Sequence, residues 1–357
     1  MNMQRYQRQM ILNGFGPEGQ ERLNAAKVLV VGAGGLGIPV LMYLNAMGVG
    51  TLGIIDDDVV SISNLHRQVL YTEKMVGLPK VVAAKNQLAA QNSDTHIKTF
   101  QTYLSVSNAL EIMEDYDVIV DASDNFPTRY LINDACVILK KPLVYGALHG
   151  FEGQVSVFNY EDGPTYRCLF PKMPDSDEIP DCNAHGVLGI LPGIVGSLQA
   201  LEAIKVVTGI GEVLSGTLLL YDGLSQRTQR MKFSSNSKYR EITKLEASYA
   251  FNCDVPLKSV AAADIKKSMA DGKGTLLDVR TTEEFETQHV KGAVTIPLDV
   301  LRERSAELPL DKPVYVICQS GSRSQKAILL LEGLFPEKEF INVKGGMNEI
   351  TRYADTY

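Results

Sequence analysis

Between Lys27 and about Asn159, short apolar runs alternate with longer stretches of helical period. Val28–Val31, Leu52–Ile55, Val118–Asp121, Pro142–Tyr145 and Gln154–Phe158 are short and mostly β-branched or aliphatic, the pattern of strands in a covered sheet. Lys80–Ala90 and Arg129–Leu139 carry apolar residues at helical spacing between them. This alternation predicts an α/β fold built on a doubly wound, mostly parallel Rossmann-like sheet. Pro164–His185 interrupts it: Pro171, Pro174 and Pro180 among acids predict a mobile crossing loop. Gly193–Val207 then resumes as a helix and Gly216–Tyr221 as a strand.

At FSSNSKY (Phe233–Tyr239) the chain turns polar, and nothing periodic returns until about Pro256. The reading is a first domain over residues 1–235, a linker over 236–255, and a second, smaller α/β domain over 256–357. In that second domain GTLLDVR and PVYVICQS read as strands, and TEEFETQ and the stretch from Ser324 as helices. Arg302–Glu307 reads as a solvated helix face. A length of 357 residues, beyond the usual single domain, agrees with two.

Charge and cysteine usage narrow the setting. A formal net charge of −7 argues against a broad electrostatic grip on nucleic acid. No apolar run approaches the ~20 residues of a membrane span, and the polar start MNMQRYQRQM lacks the apolar core of a signal peptide. Cys136, Cys168, Cys182, Cys253 and Cys318 are odd in number and widely spaced, which predicts free thiols, a reducing compartment and a cytoplasmic protein.

The chemistry begins where the first strand ends. Gly32, Gly34 and Gly37 form G-x-G-x-x-G, with Gly35 between, and lead into the apolar helical stretch Leu36, Val40, Leu41, Leu44. Such a turn brings backbone N–H groups and a helix N-terminus to a phosphate. The fingerprint also occurs where nothing binds, but here strand, turn and helix are in order. Asp56 follows the next strand about 20 residues on, where a ribose-binding carboxylate belongs. Ser63-Asn64-Leu65-His66-Arg67-Gln68 comes next, and Lys80 soon after. A dinucleotide has little use for that arginine and lysine, whereas a triphosphate wants cations along its length. Each alone reads as a surface cation; together with the glycine turn they read as ligands. VIVDASDN delivers Asp121 and Asp124 to a strand's C-terminal end. Asp124 is placed to hold Mg²⁺ beside phosphates, or else Asp124 or Asn125 caps the following helix.

RYQRQ (Arg5–Gln9), GAGGLG, DDDVVSISNLHRQ, VGLPK (Val76–Lys80), DASDN and GVLGILPGIVGSLQALEAIK (Gly186–Lys205) together resemble the ThiF/HesA/MoeB family, over roughly residues 1–235. This family comprises relatives of ubiquitin-activating enzymes. The resemblance implies ATP-dependent adenylation of the C-terminal glycine carboxylate of a ubiquitin-like sulfur carrier of the MoaD/ThiS kind. It implies that Asp56 binds ribose, that Asn64, Arg67 and Lys80 hold the triphosphate with Gln68 beside them, and that Asp124 coordinates Mg²⁺. It also implies that Arg8 reaches into a second subunit of a homodimer, and that Cys182, in PDCNAHG, bonds covalently with the activated carrier. The bland reading of Cys182 is a small buried residue. Many members hold zinc with two CxxC pairs. Here Thr165 replaces the first cysteine of the pair that would end at Cys168, and no second pair exists. Four ligands are needed, so no structural zinc is expected and Cys168 reads as a leftover core thiol.

In the second domain VICQSGSRS (Val316–Ser324) ends a strand in Cys318 and curls back to a helix start. Backbone N–H groups in such a turn form an anion-binding concavity, and with Arg323 nearby they should favour a thiolate or persulfide. Phosphatase loops share this look, but their C-x₅-R would place an arginine one residue later. LLDVRTTEEFETQHVKGAVTIPL (Leu276–Leu298) and VKGGMNEI (Val343–Ile350) resemble a rhodanese domain. That resemblance implies a Cys318 persulfide, loaded by a donor such as a cysteine desulfurase, with Asp278 and Arg280 supporting the fold. Fused, the halves imply an adenylyltransferase and sulfurtransferase making a thiocarboxylate for molybdopterin, thiamin or a parallel route. A nicotinamide-dependent oxidoreductase would leave SNLHRQ and the thiol domain unexplained. A degenerate binding scaffold would have lost Arg8, Arg67, Lys80 or Asp124.

Overall fold

Val28 and Val30 enter one apolar cluster, while Leu29 and Val31 enter another. The strand they form is therefore buried on both faces, which is why it reads as an unbroken apolar run. The computed structural model describes residues 3–174, 186–249, 257–262, 264–265, 274–319 and 321–354. Contacts divide the chain into two units, Met1–Asn252 and Cys253–Tyr357.

The first unit holds an eight-stranded sheet: β1 (Lys27–Val31), β2 (Thr51–Ile55), β3 (His96–Phe100), β4 (Val118–Asp121), β5 (Leu143–His149), β6 (Glu152–Phe158), β7 (Thr217–Asp222) and β8 (Arg227–Lys232). Its order is β3-β2-β1-β4-β5-β6-β7-β8. Pairing is parallel from β3 through β5 and antiparallel from β5 to β8. On one face, Leu41 and Leu44 of the helix Gly37–Ala46 pack on β1 and β2, and Leu88 of Lys80–Gln91 joins the same cluster. Tyr130, Leu131 and Ile132 of Phe126–Leu139 pack on the other. Each such leucine contributes roughly 1.5–3 kcal/mol by leaving water. Strand order reverses between β1 and β4, so a crevice opens at their C-terminal ends.

β3 and β8 were not legible in the sequence, because they lie at the sheet's edges. His96 and Lys98 of β3 are exposed, and β8 is exposed throughout, so neither needs a covered apolar run. The helix Leu191–Thr208 corrects another expectation. At 18 residues and mean hydropathy 1.2 it is long and apolar enough to cross a membrane by composition. Here it packs into the core through Val195, Ala200, Ala203 and Ile204. The described part of the expected linker is fastened to the first unit. Arg167 bridges Asp134 and Glu246, at 2.7 and 2.6 Å, and the buried Tyr249 donates its hydroxyl to Asp134 at 2.7 Å. Residues 250–255 lie outside the described residues.

The second unit is a five-stranded, all-parallel sheet ordered β11-β10-β12-β13-β9, from β9 (Ser259–Ala261), β10 (Thr275–Asp278), β11 (Val294–Thr295), β12 (Val314–Ile317) and β13 (Phe340–Lys344). Leu277, Val314 and Val316 face one apolar cluster; Leu276, Ile317 and Val343 face the other. A 13-residue helix, Ser322–Leu334, follows β12.

Candidate active sites

β1 gives way to Gly32, where φ is +102° and a Cβ would stand 2.7 Å from the Ala122 carbonyl oxygen. Only glycine fits that conformation and that approach to the turn after β4. Around it, at the reversal of strand order, lies a cavity of about 390 Å³. Gly32, Gly34, Gly35, Asp56, Asn64, Arg67, Gln68, Lys80, Asp124 and Asn125 all line it. Gly37 is not among the lining residues. A Cβ there would fall 1.9 Å from the Gly32 carbonyl oxygen, so it serves the close start of Gly37–Ala46 instead.

Asp56 ties the turn together. Its two oxygens accept from Ala33 N at 2.7 Å and Asp58 N at 2.8 Å. Burial pushes its carboxyl above the ordinary value, while the charge of Lys80 and those N–H groups oppose the rise. Each oxygen keeps acceptor capacity for a hydroxyl. Lys80, only 5% exposed, sets its ammonium 2.8 Å from Asp58 Oδ2, whose side chain stays exposed. A buried lysine balanced by a solvated carboxylate is a cation a more highly charged anion can recruit. Tyr71 fixes this corner by donating to the Ala33 carbonyl at 2.9 Å. Arg67 Nη1 donates to the Ser63 carbonyl at 3.1 Å and lies 2.7 Å from His66 Nε2. Asn64 accepts from Ser61 N at 3.3 Å. Gln68 is 2% exposed, and its Oε1 has no partner among the described residues.

The two readings of Asp124 and Asn125 divide between them. Asn125 Oδ1 accepts from Thr128 N at 2.9 Å and caps the helix Phe126–Leu139. Asp124 makes no cap, remains exposed and lines the cavity. Beneath them Asp121 is fully buried, which pushes its carboxyl up against the opposing charge of Arg129.

Several lining residues were missed. Arg129, 8% exposed, donates from Nη2 to the Ser123 carbonyl at 3.1 Å. Its place four residues after the capping Asn125, one helical turn on, was the available signal. Thr102, Tyr103 and Leu104 follow the unread edge strand β3, and Val187 and Pro192 return from the crossing segment. Arg8 is exposed on the short helix Gln7–Met10 and does not line this chain's cavity. Its neighbour Gln9 bonds to the Met47 carbonyl at 3.0 Å, at the C-terminal end of the helix whose N-terminus meets the cavity. Cys182 lies outside the described residues.

Cys168 is not a core thiol: it is half-buried, with Sγ 3.4 Å from Thr165 Oγ1 and accepting from Asn236 N at 3.3 Å. Among the described residues no three His, Cys, Asp or Glu side chains converge as a metal site.

In the second unit Cys318 is 1% exposed and belongs to an apolar cluster, although its sequence neighbours Gln319 and Gly321 to Ser324 are small or polar. Its Sγ accepts from Gly321 N at 3.1 Å, at the start of Ser322–Leu334, and lies 3.5 Å from Ser324 Oγ. Arg323 does not spend its hydrogen bonds on the sulfur. It forms a two-pronged pair with Glu284, both contacts 2.7 Å, and this bonding draws the Glu284 carboxyl down to about 2. Arg280 and Asp278 form a buried ion pair, and Arg280 also holds Gln319, next to Cys318, at 3.1 Å.

The ThiF family profile matches residues 6–241, two thirds of the chain. The chain belongs to the ThiF family. A rhodanese-like domain profile matches residues 261–353 of this ThiF-family chain. The adenylyltransferase and sulfurtransferase MOCS3 of Culex quinquefasciatus is 41% identical over 385 residues, spanning 98% of this chain and 87% of that protein. The sulfur carrier protein adenylyltransferase of Thermus thermophilus is 54% identical over 241 residues, 66% of this chain and 89% of its own length. Among solved structures, Escherichia coli MccB with MccA-N7isoASN matches with a TM-score of 0.60 at 20% identity, covering 68% of this chain and 75% of the other, a likeness of fold.

Proposed function

We propose that the first domain adenylates the C-terminal glycine of a ubiquitin-like sulfur carrier with ATP, and that the second delivers sulfur to the activated carboxyl. One observation carries this reading: a single cavity gathers the glycine turn, Asp56, Asn64, Arg67, Gln68, Lys80 and Asp124. The names of relatives matching nearly the whole chain supply the two activities.

ATP suits the cavity on the chain's own terms. Gly32 has no room for a side chain, Lys80 and Arg67 supply cations, Asp56 supplies acceptors for ribose, and the orphaned Gln68 Oε1 awaits a donor. The carrier's carboxylate oxygen attacks the α-phosphorus, pyrophosphate leaves, and an acyl-adenylate forms. Lys80 and Arg67 balance the charge gathering on pyrophosphate. Asp124 would hold Mg²⁺, which neutralises phosphate charge; a hard cation suits one exposed carboxylate together with phosphate oxygens. Positioning and electrostatics account for the step, so no side-chain base is needed.

The terminal sulfur of a Cys318 persulfide then attacks the acyl carbon and AMP leaves. A thiol cleaves the resulting acyl disulfide and releases the thiocarboxylate; Cys182 fits that chemistry. Joining both reagents in one chain raises their effective concentration. Molybdopterin synthesis is the destination favoured by the MOCS3 relatives, with thiamin or another thiocarboxylate route as alternative. A cysteine desulfurase is the donor type that loads Cys318, and a reducing cytoplasm suits its free thiol.

Arg8 supports a homodimer. It is exposed, does not line its own chain's cavity, and lies near the exposed Ile11 and Leu12 in sequence, which suits a reach into a neighbour's. The test is carrier-dependent ATP–pyrophosphate exchange, followed by mass analysis of the carrier after persulfide loading. One sulfur-for-oxygen replacement at its C-terminus is expected; exchange without a carrier, or none with any carrier ending in Gly-Gly, would overturn the reading.

A further inference from the structure

His66 is a residue that the adenylation chemistry does not call on, yet it touches the arginine that does. Its Nε2 lies 2.7 Å from Arg67 Nη1. A guanidinium has only donors and stays charged, so Nε2 must be the acceptor. The contact is a hydrogen bond only for the ring form that carries its proton on Nδ1 and leaves Nε2 free to accept. The same Nη1 also donates to the Ser63 carbonyl at 3.1 Å, so two acceptors fix one end of the fork. No described residue bonds Nε or Nη2, which leaves the rest of the fork for an anion.

The Nδ1 edge of this exposed imidazole also has a close neighbour. A Cβ on Gly189 would stand 2.9 Å from His66 Nδ1 and 2.4 Å from the His66 carbonyl oxygen. The backbone returning from the crossing segment thus passes close to the Nδ1 edge, with no space for a side chain at Gly189. Among the described residues, that return (Gly186, Val187, Leu188, Gly189, Ile190) brings no titratable group, and Arg67 is the charged group facing the ring.

We propose that His66 is a positioning residue for adenylation: exposed, but with Gly189 close to Nδ1 and Arg67 at Nε2, its imidazole holds the guanidinium in place for the triphosphate. This rests on the reading of Arg67 as a triphosphate ligand. Protonating the ring replaces an acceptor with a donor beside a guanidinium, and the orientation is lost.

The experiment compares the full-length wild type, His66→Ala and His66→Gln in ATP–pyrophosphate exchange with a ubiquitin-like carrier ending in Gly-Gly, from about pH 8 down to pH 5. The alanine variant should lose about tenfold in kcat at the upper end, because a misplaced fork meets the transition state poorly. The glutamine variant, whose amide oxygen can accept from Arg67 without titrating, should stay within about threefold there. Its profile should lack the acid limb of the wild type. Superimposable wild-type and glutamine profiles, or an alanine variant as active as wild type, would overturn the inference while leaving adenylation standing. No exchange in the wild type overturns adenylation and this inference together. If the alanine variant does not fold, the glutamine and wild-type profiles decide alone.

Discussion

The two candidate sites handle charge in opposite ways. In the first domain Lys80 leans on a solvated Asp58, and Asp124 faces the cavity without a capping duty. Lys80 is buried and Asp124 exposed, but both line the cavity, where a charged ligand can recruit them. In the second domain Cys318 is sealed among apolar residues, its sulfur touched by one backbone N–H, and Arg323 is occupied by Glu284. The contrast follows the chemistry each residue set suits. A triphosphate needs cations it can recruit from weak partners, whereas a persulfide needs shelter from water and stray thiols until its acceptor arrives.

The sharpest way to break this division is Lys80→Ala. Exchange should fall by about 10²–10³-fold, the usual loss for one group stabilising transition-state charge. Persulfide loading of Cys318, read by mass, should not change; a parallel loss would show that the sites are not separate. Next, Asp124→Asn should lower exchange by roughly a hundredfold and raise the magnesium requirement, with Tm unmoved. Asn125→Ala should do the reverse: a loss of about 1 kcal/mol from a missing cap, measured by denaturant melts, with less effect on the magnesium requirement. If Asp124→Asn proves the destabilising one, the division of roles between these neighbours is wrong.

The smallest effect concerns the latch in the second domain. Glu284 is held down to about 2, chiefly by Arg323. A depressed carboxyl stabilises the fold above its unfolded value, and that stabilisation is lost as pH falls toward the folded one. Melting of the second domain should therefore weaken from about pH 4.5 toward about pH 2, and Glu284→Gln should flatten that slope. The pair is a third exposed, so solvent screening limits the effect to about 1 kcal/mol. An unaltered slope in the variant would show that the latch does not hold the loop.

How much could be read from the chain depended on whether a residue's duty repeats. β1, β2 and β4 had to be apolar at successive positions because both faces are covered, and they stood out. β3 and β8, at the edges, carry His96, Lys98, Arg227 and Arg230 on exposed positions and did not. The glycine turn with Asp56, Arg67 and Lys80 was legible because the residues that meet in this cavity stand as a recognisable pattern of types and spacings along the chain. Thr102–Leu104 and Val187 reach the same cavity by topology alone, from segments with no local signature. Arg323 was legible in part: it does lie near enough to Cys318 for their charges to interact, but its hydrogen bonds go to Glu284, 39 residues away, which nothing local announces.

The most direct test of two separable chemistries is pyrophosphate exchange into ATP by the full-length Cys318→Ala variant, with and without a carrier ending in Gly-Gly. Carrier-dependent exchange at close to the wild-type rate, with no thiocarboxylate formed, is the predicted result. Exchange abolished along with sulfur transfer, in a variant that still folds, would contradict it.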